Sequence, residues 1–185
     1  MMVRIFFTMV ISALFVGCAA QPSYRADDAP LKTVASVDVE RYLGRWYEIA
    51  RLPNRFERGC EGVTAEYVRR DDGLISVTNT CRKNAPDGDV KVANGRARIV
   101  DTASNAKLKV SFFGPFWGDY WIIDLATDYS LAVVSEPKGR YLWILSRTPT
   151  INDDVKAATL AVLAERGFDT SALYYPQQPP APTNN

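Results

Sequence analysis

Eight short strand-like segments follow one another through the middle of the chain, each closed off by turn residues, and that spacing leaves few folds open. They cover residues 44–51, 62–69, 74–81, 90–100, 106–113, 119–125, 130–135 and 141–147. Arg70-Asp71-Asp72-Gly73 reads as a tight hairpin turn, and residues 84–88, with Pro86, as a loop. Where alternation is clean the faces can be assigned. Leu108, Val110 and Phe112 share one side, and Lys107, Lys109 and Ser111 the other. An even number of strands in hairpin order can close without leaving an edge. The expectation is an all-β protein, an eight-stranded up-and-down antiparallel β-barrel.

One helix follows the strands and is expected to pack outside the barrel. Asn152 is its N-cap, and Asp153 and Asp154 suit the positive end of the helix dipole. Capping explains that acidic pair better than metal binding does. Val155, Thr159, Val162, Leu163 and Arg166 trace one face, and Gly167 stops the helix. Residues 171–175 read as a further short strand.

The composition removes several kinds of chemistry. Net charge is +1, which argues against a nucleic-acid partner. The chain has no histidine, so Ser-His-Asp and Cys-His catalysis, and histidine ligation of zinc or haem, are excluded. No cofactor is expected.

The two ends read as lying outside the fold. Arg4, an apolar run over residues 5–16 and the small residues Gly17, Cys18, Ala19 and Ala20 form an export signal, too short for a comfortable membrane span. Phe15-Val16-Gly17-Cys18 looks like a bacterial lipobox, with Phe where Leu is usual. That resemblance implies a signal peptide over residues 1–17 and a lipid anchor on Cys18. Ala19 after the cysteine favours the outer membrane. Cleavage after Ala20, giving a soluble periplasmic protein, is the alternative. Residues 18–37 read as a tether, 38–175 as the folded domain and 176–185, with four prolines, as a disordered tail.

Export places the remaining cysteines in an oxidising compartment. Cys60 and Cys81 flank the Arg70–Gly73 turn almost symmetrically, and a disulfide between them is expected. Counting outward leaves the register one residue out, so a bulge or loop must absorb a residue. Two buried free thiols are the alternative.

Hairpin order also fixes which parts meet. If strand one starts at the closed end, strand eight ends there, and Arg147 falls beside Trp46, where a guanidinium can stack on the indole. Thr127-Asp128-Tyr129 lies at the same end. The aromatic loop Phe113-Gly114-Pro115-Phe116-Trp117-Gly118 lands at the mouth.

Gly44-Arg45-Trp46-Tyr47-Glu48-Ile49-Ala50-Arg51, Thr127-Asp128-Tyr129 and Ser146-Arg147 resemble the three lipocalin signatures, in order. Phe56-Glu57-Arg58-Gly59, Lys109 to Phe116 and Leu142 to Thr150 look like the bacterial outer-membrane lipoprotein branch of that family. The resemblance implies a lipocalin barrel binding a small lipophilic ligand, with Gly44, Trp46, Asp128 and Arg147 as structural signature residues. It also implies a place at the bacterial outer membrane, and a role in envelope maintenance under stress.

Alternation from Trp46 and Arg147 puts Glu48, Ala50, Tyr141, Trp143 and Leu145 inward. Pattern adds Val63, Ala65 and Tyr67; Ile75, Val77 and Asn79; Ala97 and Ile99; and Leu108, Val110 and Phe112. For strands six and seven the family pattern favours Tyr120, Ile122, Ala132 and Val134. Alanines among tyrosines and tryptophans suit a ligand with an apolar body and a polar end. The expected ligand contacts are Trp143, Trp117, Tyr67, Tyr120, Tyr141, Phe112, Val110 and Ile122. The expected partners are a fatty acid or lysophospholipid, the membrane through Cys18, and a homodimer through the exposed aromatics. Arg55 and Arg58 could meet a phosphate or carboxylate. The competing function is an isomerase- or de-epoxidase-type lipocalin enzyme using Glu48, a carboxylate expected beside Arg147 at the closed end.

Overall fold

The computed structural model describes residues 21–26 and 29–179; the expected export signal and Cys18 lie outside the described residues. The strands are β1 (Gly44–Arg51), β2 (Cys60–Arg69), β3 (Ile75–Lys83), β4 (Val90–Ile99), β5 (Lys107–Ser111), β6 (Gly118–Leu125), β7 (Leu131–Ser135) and β8 (Leu142–Ser146). All neighbours are antiparallel, and β8 pairs with β1 to close the barrel. A four-residue helix, α1 (Val39–Tyr42), precedes β1, and α2 (Asp153–Glu165) follows β8.

Two apolar layers follow from the alternation. The lumen holds Trp46, Ala65, Tyr67, Ile75, Val77, Ala97, Leu108 and Leu145, as the alternation predicts, and Tyr120, Ile122, Ala132 and Val134, as the family resemblance implies. Outside the wall, Ala50, Ile123, Leu131, Val133, Leu142 and Ile144 are covered by Leu163 of α2 and by Leu31, Leu52 and Phe168. The Asn152 side chain accepts from the Val155 N–H and caps α2. Thr159 and Leu163 are buried on its inner face, but Val155, expected there, is exposed in the first turn.

Bulges decide where alternation fails. A bulge between Glu48 and Ala50 reverses the parity of β1, so Ala50 faces α2 and Arg51, opposite Trp143, faces the lumen. The inward placement expected for Ala50 is thereby corrected. A second bulge, between Ile122 and Asp124, lets both Ile122 and Leu125 face inward.

The third bulge is the one the cysteines require. Between Glu61 and Thr64 the register of β2 on β3 slips by one residue. Gly62 sits there at φ +54°, a conformation that favours glycine. Cys60 and Cys81 are thereby brought to a Cα separation of 5.2 Å and form a disulfide. The bridge spans 21 residues; in the chain-entropy picture such a loop closure contributes about 3 kcal/mol. Replacing both cysteines by serine is expected to lower unfolding free energy by about that amount in urea titrations.

The described parts of both flanking segments are tied to the barrel more than their composition suggests. In the segment expected as tether, Leu31 and Val37 are buried, and the Val34 and Val37 N–H groups donate to the Ile122 and Ser104 carbonyls. In the segment expected as disordered tail, Pro176 is buried and the Gly62 N–H donates to the Gln177 carbonyl. Instead of a fresh strand, residues 171–175 contribute a single bridge, Arg51 to Tyr174, after a 3-10 turn at Thr170–Ala172.

Candidate functional site: the barrel lumen

The closed end is held by Arg147. Its guanidinium lies 3.8 Å from the Trp46 ring centroid. It donates to the carbonyls of Arg45 (2.7 Å), Arg41 (2.7 Å), Tyr42 (3.2 Å), Leu43 (2.9 Å) and Tyr129 (3.4 Å). Trp46 is fully buried, and its indole N–H donates to the Tyr42 carbonyl at 2.8 Å. Gly44 adopts φ +88°, a conformation that favours glycine, at the start of β1 beside Arg147. Asp128 accepts from the Ser130 N–H and hydroxyl and so shapes the β6–β7 turn, in which Tyr129 adopts φ +64°. The expected ion pair of Glu48 with Arg147 does not form. Arg147 commits its donors to carbonyls, and Glu48, higher in the lumen, pairs with Arg51.

A bar of tyrosines crosses the lumen above this base. The Tyr120 hydroxyl meets that of Tyr42 at 2.8 Å and that of Tyr67 at 2.9 Å. Burial pushes all three phenols up, Tyr67 to about 12. They are neutral hydrogen-bonding groups at any physiological pH. Beside the bar lies a cavity of about 20 Å³, lined by Val37, Tyr67, Leu108, Val110, Tyr120 and Ile122. That is room for about one water molecule, so four of the expected ligand contacts enclose a nearly filled lower lumen.

The upper lumen is different. β4 pairs with β5 only over Arg96–Ile99, so its upper half has no neighbour on that side. Ala93, the partner of the inward-facing Asn79, is exposed on this unpaired stretch. The Phe112 ring lies against Gly95, where a β-carbon would stand 2.8 Å from it. Across the mouth, the Tyr141 and Trp143 rings stack with centroids 6.1 Å apart, and Phe56 approaches them at 5.7 and 6.3 Å. Phe112, Tyr141 and Trp143 are half-buried. Trp117 is placed otherwise than expected. Its ring lies 4.5 Å from the Arg98 guanidinium and 5.3 Å from that of Arg96, two side chains on the outer face of β4. It covers the outer wall rather than the mouth because paired cations there offer its π-face a partner.

Between the stacked rings and the tyrosine bar sits a polar cluster that alternation did not reveal. Arg51, 4% exposed, donates to Glu48 Oε1 at 2.6 Å and to the carbonyls of Glu57 (3.0 Å) and Cys60 (3.1 Å). Glu57 folds in from the β1–β2 loop and accepts the Trp143 indole N–H at 3.0 Å. Burial raises the Glu48 carboxyl well above the ordinary carboxylate range, the neighbouring Glu57 adds to the rise, and Arg51 opposes it. Two carboxylates share one guanidinium, Glu48 at 2.6 Å and Glu57 at 4.0 Å. Gln178 reaches between β1 and β2 from the outer side and donates to the carbonyls of Glu48 (2.8 Å) and Val63 (3.1 Å). Among the described residues, the oxygens of the Asn79 and Gln178 amides are buried without a hydrogen-bond partner. No group of His, Cys, Asp and Glu among the described residues converges as a metal site.

A barrel closed by Trp46 and Arg147, with a short helix beneath and a longer one outside, matches one family description. Residues 37–178 fit the lipocalin-like domain. The chain belongs to the lipocalins. Similar members include the outer membrane lipoprotein Blc of Vibrio cholerae, 44% identical over 95% of this chain and 99% of the relative. The Blc protein of Escherichia coli K12 is 47% identical over 90% of this chain and 91% of the relative. Among solved structures, insecticyanin of the tobacco hornworm superposes with a TM-score of 0.66 at 25% identity, covering 86% of this chain and 88% of that one. This lipocalin shares their barrel, and its matched region includes the C-terminal residues through Gln178.

Proposed function

We propose that this lipocalin binds a small lipophilic ligand, a fatty acid or lysophospholipid, at the outer membrane of a bacterium. The observation that carries the reading is the contrast within the barrel: room for about one water molecule beside the tyrosine bar, and half-buried aromatic rings at a mouth bordered by the unpaired, exposed stretch of β4. An alkyl chain in the upper half would lie along Phe112, Tyr141 and Trp143, with its polar head at the rim near Arg55 and Arg58. The relatives named outer membrane lipoprotein support the location, and Cys18 would carry the anchor. Each methylene withdrawn from water contributes about 0.8 kcal/mol, enough for a long chain to bind below micromolar after ordering costs. Envelope maintenance under stress is the physiological role this binding would serve.

Binding, rather than catalysis, is the reading the Glu48 environment favours. Its carboxyl is 2% exposed and turned to Arg51, so a substrate would have to displace that partner before meeting it. Displacement of a fluorescent fatty-acid probe by a lysophospholipid tests the site. Trp143→Ala is expected to weaken binding about tenfold, the equivalent of 1.4 kcal/mol, while Trp117→Ala leaves it unchanged. Unchanged affinity in Trp143→Ala would remove that ring from the site.

A further inference from the structure

Three phenylalanines stand out from the rim of the mouth. Phe113 and Phe116 are 80% and 77% exposed on the loop between β5 and β6, and Phe56 is 61% exposed on the loop between β1 and β2. Those loops lie on opposite sides of the closed strand order. The apolar side chains therefore span the mouth instead of marking one wall. Arg55 and Arg58, beside Phe56, and Lys138, on the β7–β8 loop, are exposed on the same rim. Asp87 and Asp89 stand on the β3–β4 loop, so the positive charge gathers on the side where β8 meets β1. The opposite end of the barrel presents polar turns, with Asp71, Asp72, Thr127 and Asp128 exposed.

The N-terminal segment arrives at this positive side of the mouth. The Gln21 side-chain amide donates to the Pro53 carbonyl at 2.5 Å, the Ser23 hydroxyl to the Lys138 carbonyl at 2.8 Å, and the Tyr24 N–H to the Gly139 carbonyl at 3.1 Å. Pro53 belongs to the β1–β2 loop and Lys138 and Gly139 to the β7–β8 loop. Cys18 precedes Gln21 by three residues, a reach of roughly 10 Å even when extended. A lipid chain on Cys18 would thus enter the bilayer beside the open end of the barrel.

We propose that the rim is a membrane-docking surface, and that the barrel sits mouth-down on the bilayer. Phe56, Phe113 and Phe116 enter the interfacial layer, and Arg55, Arg58 and Lys138 face lipid phosphates. The proposal rests on the reading of Cys18 as the anchor. It would let a lipophilic ligand pass between bilayer and mouth without crossing bulk water.

The test uses the acylated protein reconstituted in vesicles of phosphatidylethanolamine and phosphatidylglycerol that carry a photoactivatable diacyl phospholipid. Labelled residues are located by peptide mass mapping. Label is expected on the 52–59 and 112–117 loops and not on the 70–74 and 126–130 turns. The variant with Phe56, Phe113 and Phe116 all changed to serine should lose most of the rim label while remaining vesicle-bound through its anchor. Equal labelling of the two ends would overturn the proposal, as would rim peptides cross-linked to a second copy of the chain without lipid. So would an intact mass showing Cys18 unacylated. Label confined to the Trp143 peptide would also overturn docking, yet would leave ligand binding in the lumen standing. Rim label in a protein that takes up no lysophospholipid would support docking and reject the carrier reading.

Discussion

Trp46→Ala is expected to cost about 3–5 kcal/mol of folding stability, the range for removing a fully buried tryptophan. Trp46 is 0% exposed, and it supports three things at once. Its ring carries the Arg147 guanidinium, its N–H satisfies the Tyr42 carbonyl, and it packs, tilted, on the Tyr42 ring at a centroid distance of 5.0 Å. Removing it leaves a cavity at the point where the first and last strands and α1 converge. For a chain of this size the loss corresponds to a fall in Tm of roughly 6–20 °C. Thermal unfolding followed by circular dichroism measures it. Trp143→Ala, which changes a half-buried side chain at the mouth, should move Tm far less. Equal shifts in the two variants would mean that the closed end does not carry the barrel.

Arg51→Met should show a cost that depends on pH. In the native protein Arg51 lies 2.6 Å from Glu48 and opposes the rise that burial and Glu57 impose on its carboxyl. Without that cation the folded-state pKa climbs further above the ordinary value of 4.5. At higher pH the unfolded chain gives up the proton while the folded chain keeps it. Stability is therefore fully present below the ordinary value and is lost as pH rises toward the folded pKa, by about 1.4 kcal/mol per pH unit. The native protein should show the same sign over a narrower pH window, ending at its lower folded pKa. At pH 8 the variant is expected to be less stable than the native protein by about 3–5 kcal/mol, the cost of leaving a buried acidic group without its cation. Near pH 5 the difference should be much smaller. Urea titrations across this range measure the slope, and adding Glu48→Gln to Arg51→Met should flatten it. A pH-independent deficit would show that Glu48 does not hold a proton in the fold.

Much of the barrel can be read from local pattern because strands alternate with a period of two and hairpins fix direction. Trp46, Arg147 and the lumen rows of β2, β3 and β5 follow from that rule alone. The rule fails at bulges, where one extra residue exchanges the two faces. Ala50 and Arg51 are the instance that matters, since the exchange takes an alanine out of the lumen and puts a guanidinium in. Only the β2 bulge left a trace in the sequence, because the two cysteines could not otherwise meet. Glu57 was hidden for a different reason: its approach to Trp143 depends on how the β1–β2 loop folds. The turn of Trp117 onto Arg96 and Arg98 likewise depends on a loop. The C-terminal prolines suggested disorder, but β1 and β2 pair only over Gly44–Tyr47 and Thr64–Tyr67. Their free edges above that point give Tyr174, Gln177 and Gln178 backbone groups to bind.

Native mass spectrometry of the chain extracted from its own membrane tests the lumen most directly. One lipid of fatty-acid or lysophospholipid mass should accompany each barrel, over and above any lipid attached to Cys18, and leave it on collisional activation. A barrel that emerges bare, and stays bare after incubation with lysophospholipid, would contradict the assignment of its upper half as a ligand site.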